Sequence, residues 1–198
     1  MGLGADALAE PADSLSEPPP RIRSFIAVAL PDQQRALLAG YLEHCREVAP
    51  RLRWVSPENL HLTLRFLGGV EAERLDRLGS GLQEIPFQPF EIRLGGLGAF
   101  GPAASVRVVW LGVEQGRQEL ERLSEAIEER CQAVGLEAET RPFNPHLTLA
   151  RARERRGTRL PELPAPPRLP AWAAAGFDLY RSRTGPGGAV YSILASFG

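Results

Sequence analysis

The sequence predicts an α+β protein made of two similar lobes, and three observations carry that prediction. The tetrapeptide HLTL occurs twice, at residues 61–64 and 146–149, an offset of 85 positions. Each copy follows a strand-like and then a helix-like segment at matched distance: Ile22 lies 39 residues before His61 and Val106 lies 40 before His146, while Leu37 and Leu120 precede their histidines by 24 and 26. Two strand, helix, strand units packed about a pseudo-twofold axis follow from this repeat, whose period is too long for a solenoid. The third observation is size and balance. The 198 residues are 43% hydrophobic, 24% charged and 7% aromatic, enough for a sizeable core in one large domain or two small lobes sharing one.

Residues 1–20 carry four acidic and no basic side chains, with Pro11, Pro18, Pro19 and Pro20 blocking regular structure, and read as a disordered leader ahead of a bilobal unit over 21–198. IRSFIAVAL, 22–30, is β-branched, largely apolar and bounded by Pro31, which predicts a buried strand. Leu37, Leu38, Tyr41, Leu42, Cys45 and Val48 recur at helical spacing until Pro50 ends the pattern. Residues 60–67 are strand-like again, and Leu75, Leu78 and Leu82 mark a shorter helix. A strand over 90–97 is expected to end in a glycine-rich turn around Gly95–Gly101.

The second half opens with the strand SVRVVWLGV, 105–113, followed by a helix whose inner stripe is Leu120, Leu123, Ile127, Cys131 and Val134, with Gly135 as C-cap. A strand over 145–150 carries the second HLTL. Pro161, Pro164, Pro166, Pro167 and Pro170 make a long surface loop before strands near 172–181 and 189–197.

Composition excludes several chemistries. Formal charge is −1, so any anionic substrate is held by a local site rather than by the whole surface. All 23 basic residues are arginine; Schiff-base lysines and a P-loop lysine are therefore absent. Cys45 and Cys131 sit in helical patterns among apolar neighbours and read as buried free thiols. No run nears the ~18 apolar residues of a spanning helix, and the N-terminus lacks the basic start of a signal peptide, so a soluble, cytoplasmic protein is expected.

Strand geometry gives the HLTL motifs their meaning. Successive side chains point to opposite faces, so His61 and Thr63 project one way and Leu62 and Leu64 the other; His146 and Thr148 do the same. Related by a twofold, the two polar pairs line opposite walls of one cleft. An imidazole of ordinary pKa, about 6.5, can accept a proton near neutrality while its partner donates one, each contributing about 10²- to 10⁴-fold to an in-line displacement at phosphorus. The threonine hydroxyls can donate to the non-bridging oxygens where charge accumulates. Such a scheme calls for no metal and no other cofactor. The remaining histidine, His44, has no ligand set at usable spacing around it. A solvated face showing His and Thr by chance accounts easily for one copy but poorly for two in matched contexts.

The contexts WVSPENLHLTLRFLG (54–68) and RPFNPHLTLAR (141–151) resemble those of the 2H phosphoesterases. More closely they resemble the bacterial and archaeal RNA 2′,3′-cyclic phosphodiesterases, also called the 2′-5′ RNA ligase family. RSFIAVALP, LGAFGPAASVRVVWLGV and LYRSRTGPGGAVY share the likeness, which covers about 21–198. The resemblance implies a bilobal α+β fold with two antiparallel sheets flanking a central cleft and helices on the outside. It also implies metal-independent opening of RNA 2′,3′-cyclic phosphate termini to 2′-phosphomonoesters. By the same resemblance His61 matches the proton donor, His146 the proton acceptor, Thr63 and Thr148 the phosphate-contacting hydroxyls, and Arg151 a phosphate-binding arginine. The twofold leaves the donor and acceptor labels interchangeable on physical grounds.

RNA ends or small cyclic nucleotides are the expected partners of a monomeric chain that needs neither membrane nor metal. End joining by the reverse chemistry and a non-catalytic RNA-binding module are the alternatives. Arg151, Arg153, Arg155, Arg156 and Arg159 form either a collar for an RNA backbone or a solvated loop. Phe25 and Tyr191 could stack a base, but aromatic residues in strands more often belong to the core, and both are left out of the site; Trp54 and Trp110 are read as core or lobe-packing residues. Glu58 is read as a turn residue.

Overall fold

The computed structural model describes residues 20–185 and 188–198. Apart from Pro20, the leader expected over 1–20 lies outside the described residues. The elements run β1 (Arg21–Ala29), α1 (Asp32–Val48), β2 (Leu52–Trp54), β3 (His61–Glu71), α2 (Ala72–Gln83), β4 (Phe90–Phe100), β5 (Val108–Gln115), α3 (Arg117–Ala133), β6 (His146–Ala152), β7 (Trp172–Ala174), β8 (Phe177–Gly185) and β9 (Gly188–Phe197). The strands follow the order β7-β4-β5-β6-β3-β1-β8-β9, with β2 alongside β6, and every pairing is antiparallel. The fold is thus α+β, with two four-stranded halves, β3-β1-β8-β9 and β6-β5-β4-β7, meeting at β3 and β6.

That seam is narrow, a single register pair, Leu62 opposite Leu147. The two HLTL segments are therefore antiparallel neighbours, and the pseudo-twofold passes between these leucines. The internal symmetry extends to irregularities. Between β1 and β3 the register steps from Ile26–Arg65 to Ala27–Thr63, leaving Leu64 unpaired, and between β5 and β6 it steps from Val109–Ala150 to Trp110–Thr148, leaving Leu149 unpaired. A bulge adds twist and re-aims side chains, and here it falls at the same position of each motif.

Leu62, Leu64, Leu147 and Leu149 are buried in one core with Leu38 and Leu42 of α1, Leu75, Leu78 and Leu82 of α2, and Leu120, Ile127 and Cys131 of α3. The helices cover the leucine face and leave the His and Thr face free. The α3 stripe ends as expected: Gly135 has φ +77°, its N–H donates to Gln132 O, and Leu136 N–H donates to Cys131 O. Both cysteines are free and buried. Among the described residues no helix is long and apolar enough to cross a membrane.

Three local expectations need correction. Leu37 and Val48 are exposed rather than inward, because the buried stripe of α1 runs Gln34, Leu38, Tyr41, Leu42, Cys45. The glycines at 95, 96 and 98 do not turn the chain; β4 runs through them to Phe100, and the turn comes at Gly101, with φ +105°. The reason lies across the ladder. Trp110 pairs with Gly98 and its ring occupies the space a Cβ there would need. The strand expected over 105–113 starts only at Val108, since Ala103–Ser105 form a 3-10 turn and Val106 makes only a bridge to Thr158. β2 had no sequence signal.

Because the halves meet at one pair, truncation there should be felt across both. Leu147→Ala is expected to cost about 2–5 kcal/mol, the range for emptying a fully buried leucine site, measured by urea unfolding; a loss below ~1 kcal/mol contradicts the seam as a packing element.

Candidate active site

Each histidine opens its strand two residues after the asparagine that fixes its ring. A 3-10 turn over Pro57–Asn59 delivers Asn59, and Pro145 favours an extended backbone at Asn144 before it. Two residues on, the imidazole turns back: His61 Nδ1 lies 2.8 Å from Asn59 O and His146 Nδ1 lies 2.6 Å from Asn144 O. A carbonyl can only accept, so in each neutral ring the proton sits on Nδ1 and Nε2 is the free acceptor. The turn before His61 is tied further, as Asn59 Nδ2 donates to Ser56 Oγ at 3.1 Å and to Ala189 O at 2.9 Å. On the other side Arg117 Nη1 donates to Asn144 Oδ1 at 3.3 Å.

Aromatic side chains enclose both rings. Phe25 stacks on His61 with centroids 4.7 Å apart and Tyr191 meets it edge-on at 5.4 Å; Phe100 meets His146 edge-on at 5.0 Å and Trp110 lies 6.1 Å away. Phe25, which is buried, and Tyr191, both left out of the site on sequence grounds, are thus walls of the His61 site, and Trp110 is a wall of the His146 site. Their absence from the sequence-read site has a plain cause. An aromatic residue in a strand carries the same sequence signal whether it faces the core or a cleft; only the cross-strand register, here Phe25 opposite Phe66 and Ala29 opposite His61, separates the two.

A cavity of about 1010 Å³ brings Thr63, His146 and Arg151 together, with Phe66, Phe100 and Arg107 also on its wall. His61 and Thr148 lie outside that lining. His61 is nevertheless near enough for the positive charges of Arg151 and His146 to act on it. Of the five clustered arginines only Arg151 lines the cavity, while Arg156 is paired with Glu154 at 2.5 Å. Arg107 was not singled out from sequence, since an arginine beside a strand has no distinctive pattern.

Burial shapes the titration of both imidazoles. Loss of hydration pushes His61 down to about 4, opposed by the bond to Asn59 O and reinforced by the charges of Arg151 and His146. His146 is lowered as well, first by burial, with the Asn144 carbonyl opposing and Arg151 reinforcing. At neutral pH the unliganded site therefore holds two neutral rings beside arginine, rather than one charged and one neutral as ordinary pKa values suggest. Such a site is ready for an anion, which neutralises the arginine and makes protonation of an imidazole favourable again.

Comparison with known proteins follows the same lines. A family model described as the 2′-5′ RNA ligase superfamily matches residues 31–181. A protein of Archaeoglobus fulgidus named RNA 2′,3′-cyclic phosphodiesterase is 39% identical over 134 residues, covering 68% of this chain and 74% of the relative. A protein of the same name from Thermus thermophilus is 38% identical over 190 residues, 89% of each. Among solved structures, E. coli LigT complexed with 3′-AMP superposes with a TM-score of 0.75 at 31% identity, covering 89% of this chain and 97% of that one.

The depressed His61 pKa sets the sign of a stability effect. The unfolded chain takes up a proton near pH 6.5 and the folded chain only near 4, so acidification through that window weakens the fold by up to roughly 3 kcal/mol at this residue. His61→Gln should remove this component: relative to the variant, the wild type should lose stability between pH 7 and pH 4 in urea unfolding. Parallel pH curves for the two proteins contradict the buried neutral ring.

Proposed function

The chain belongs to the 2′-5′ RNA ligase superfamily, and from that premise we propose that it is a metal-independent hydrolase opening RNA 2′,3′-cyclic phosphate termini to 2′-phosphomonoesters, with the two HLTL segments as its machinery. One observation carries the reading: the segments are antiparallel neighbours paired at Leu62 and Leu147, and each histidine has Nδ1 engaged by a carbonyl and Nε2 free. The names of the relatives, RNA 2′,3′-cyclic phosphodiesterase, support the substrate class.

In this mechanism His146 Nε2 accepts a proton from water as its oxygen attacks phosphorus. The bond from phosphorus to the 3′ oxygen breaks, and His61 Nε2, protonated in the complex, delivers its proton to that oxygen. The 2′ ester remains. Thr63 and Thr148 donate hydrogen bonds to the non-bridging oxygens, and Arg151 offsets their growing charge. The proton that His61 delivers is taken up with the anionic substrate, because at neutral pH neither Nε2 of the free site carries one. The assignment of donor and acceptor follows the family likeness; the lobes supply a second reason, since the roomy cavity that gives a nucleophile access opens beside His146 rather than His61. A cavity of that size also favours a second reading, in which a 5′-hydroxyl takes the place of water and an RNA end is joined. Partners in either case are RNA ends or small cyclic nucleotides, acted on by a cytoplasmic monomer.

An oligonucleotide ending in a 2′,3′-cyclic phosphate, incubated in EDTA, is expected to yield a 2′-phosphate, with His61→Ala and His146→Ala each losing about 10²- to 10⁴-fold in kcat/KM. Activity abolished by EDTA, or binding without turnover, contradicts the proposal. Adding a 5′-hydroxyl oligonucleotide tests joining by the appearance of a longer product.

The pH dependence has a definite sign. Since kcat/KM reports the free enzyme and both imidazoles there titrate below 6.5, kcat/KM should fall as pH rises from 6.5 to 8, while kcat, which reports the complex, keeps its plateau to higher pH. A kcat/KM that is flat or rising over that interval is the contrary result.

A further inference from the structure

The two halves hold their histidine-bearing segments by different means. Ahead of His61 the chain is fixed by main-chain pairing: β2 lies on β6 with Leu52, Arg53 and Trp54 opposite Ala152, Arg151 and Ala150, and Val55 N–H donates to Leu149 O at 2.8 Å. Ahead of His146, residues 136–145 form no strand among the described residues, and β3 has no ladder partner there. The 85-residue offset makes Arg65 the counterpart of Ala150, the residue whose backbone faces Trp54 in the first half.

A side chain stands where the ladder is missing. Arg65 Nη2 donates to Glu137 O at 2.6 Å, Nη1 to Phe66 O at 2.8 Å and Nε to Glu128 Oε2 at 2.5 Å. The other oxygen of Glu128 accepts from Glu139 N–H at 3.0 Å, and the Glu139 carboxylate, 3.8 Å from Arg65 Nη1, receives Arg141 Nε at 3.0 Å and Nη2 at 2.8 Å. Arg65 and Glu128 are largely buried, with side chains 12% and 20% exposed, so this fork works where water competes weakly. The anchored stretch ends at Arg141, three residues before Asn144, whose carbonyl holds His146 Nδ1 at 2.6 Å.

We propose that Arg65 is a positioning residue for His146: through Glu128, Glu137 and Glu139 it holds the segment 137–141 against β3 and so places the Asn144 carbonyl that fixes the His146 ring with Nε2 free. The proposal rests on the reading of His146 as an acid-base residue. Arg65 touches no reacting atom in it. A lysine at 65 keeps the charge that balances Glu128 but has one ammonium in place of a planar fork, and it cannot span Glu128, Phe66 O and Glu137 O together.

The test compares wild type, Arg65→Lys and Glu128→Gln by long-range ¹H–¹⁵N NMR of the histidine rings at pH 7.5 and by kinetics on a 2′,3′-cyclic nucleotide. In wild type both rings should show the Nδ1–H tautomer. In Arg65→Lys the Nε2–H tautomer should appear at His146 while His61 is unchanged, with kcat reduced about 10- to 100-fold and KM within about twofold, as expected for misplacement on the ångström scale. Glu128→Gln should shift the same ring in the same direction and serves alone if Arg65→Lys does not fold. A wild-type tautomer at His146 in a folded variant, or equal changes at both histidines, overturns the proposal. Absence of hydrolysis by the wild type counts against the enzymatic reading, while the tautomer measurement still decides the role of Arg65.

Discussion

The molecule depends on one contact, the antiparallel meeting of β3 and β6 at Leu62 and Leu147. Strand alternation makes that contact serve two purposes at once. On one face the four leucines of the motifs enter a core shared by all three helices, each fully buried side chain contributing roughly 1.5–3 kcal/mol. On the other face the same alternation leaves two histidines and two threonines turned away from the helices. Packing of the halves and assembly of the candidate site are therefore one event, and a one-residue slip in either strand would bury the imidazoles and expose the leucines.

The electrostatics follow from what surrounds this face. Aromatic rings dry the imidazoles and arginine adds positive charge, and together these keep both rings neutral when no anion is present, against the opposing effect of the carbonyl that accepts from each Nδ1–H. The twofold is then broken in several ways. His61 is more enclosed, stacked on Phe25 and faced by Tyr191, whereas His146 borders the large cavity with Thr63 and Arg151. The chain ahead of His61 is held by a backbone ladder, and that ahead of His146 by the Arg65 fork. A duplicated arrangement has thus acquired unlike environments for its two imidazoles, which is what different proton-transfer roles require.

Much of this was legible in the sequence because alternation and repetition are local signals. The HLTL repeat gave the two halves, the face shared by His and Thr, and the leucine core; helical spacing gave all three helices, and Gly135 the end of α3. What was not legible depends on register. Gly95, Gly96 and Gly98 look like a turn until Trp110 is found lying across Gly98. Phe25, Trp110 and Tyr191 carry the pattern of core residues, and only their ring contacts reveal that each also borders a histidine. β2 is three residues long and is specified by its partner β6 rather than by its own pattern. Arg65 is one arginine among 23, and only the absence of a ladder beside it gives it significance. Ordinary pKa values, the best assumption without coordinates, failed at the histidines because burial is a property of the fold.

In the proposed mechanism two imidazoles flank a single phosphorus from opposite sides. A crystal structure with a nucleoside 2′,3′-cyclic vanadate, which mimics the five-coordinate phosphorus of the displacement, tests it most directly. The expected result is a trigonal bipyramid with His61 Nε2 and His146 Nε2 within hydrogen-bond distance of its two apical oxygens. Vanadate held by one histidine only, or bound away from both, contradicts it.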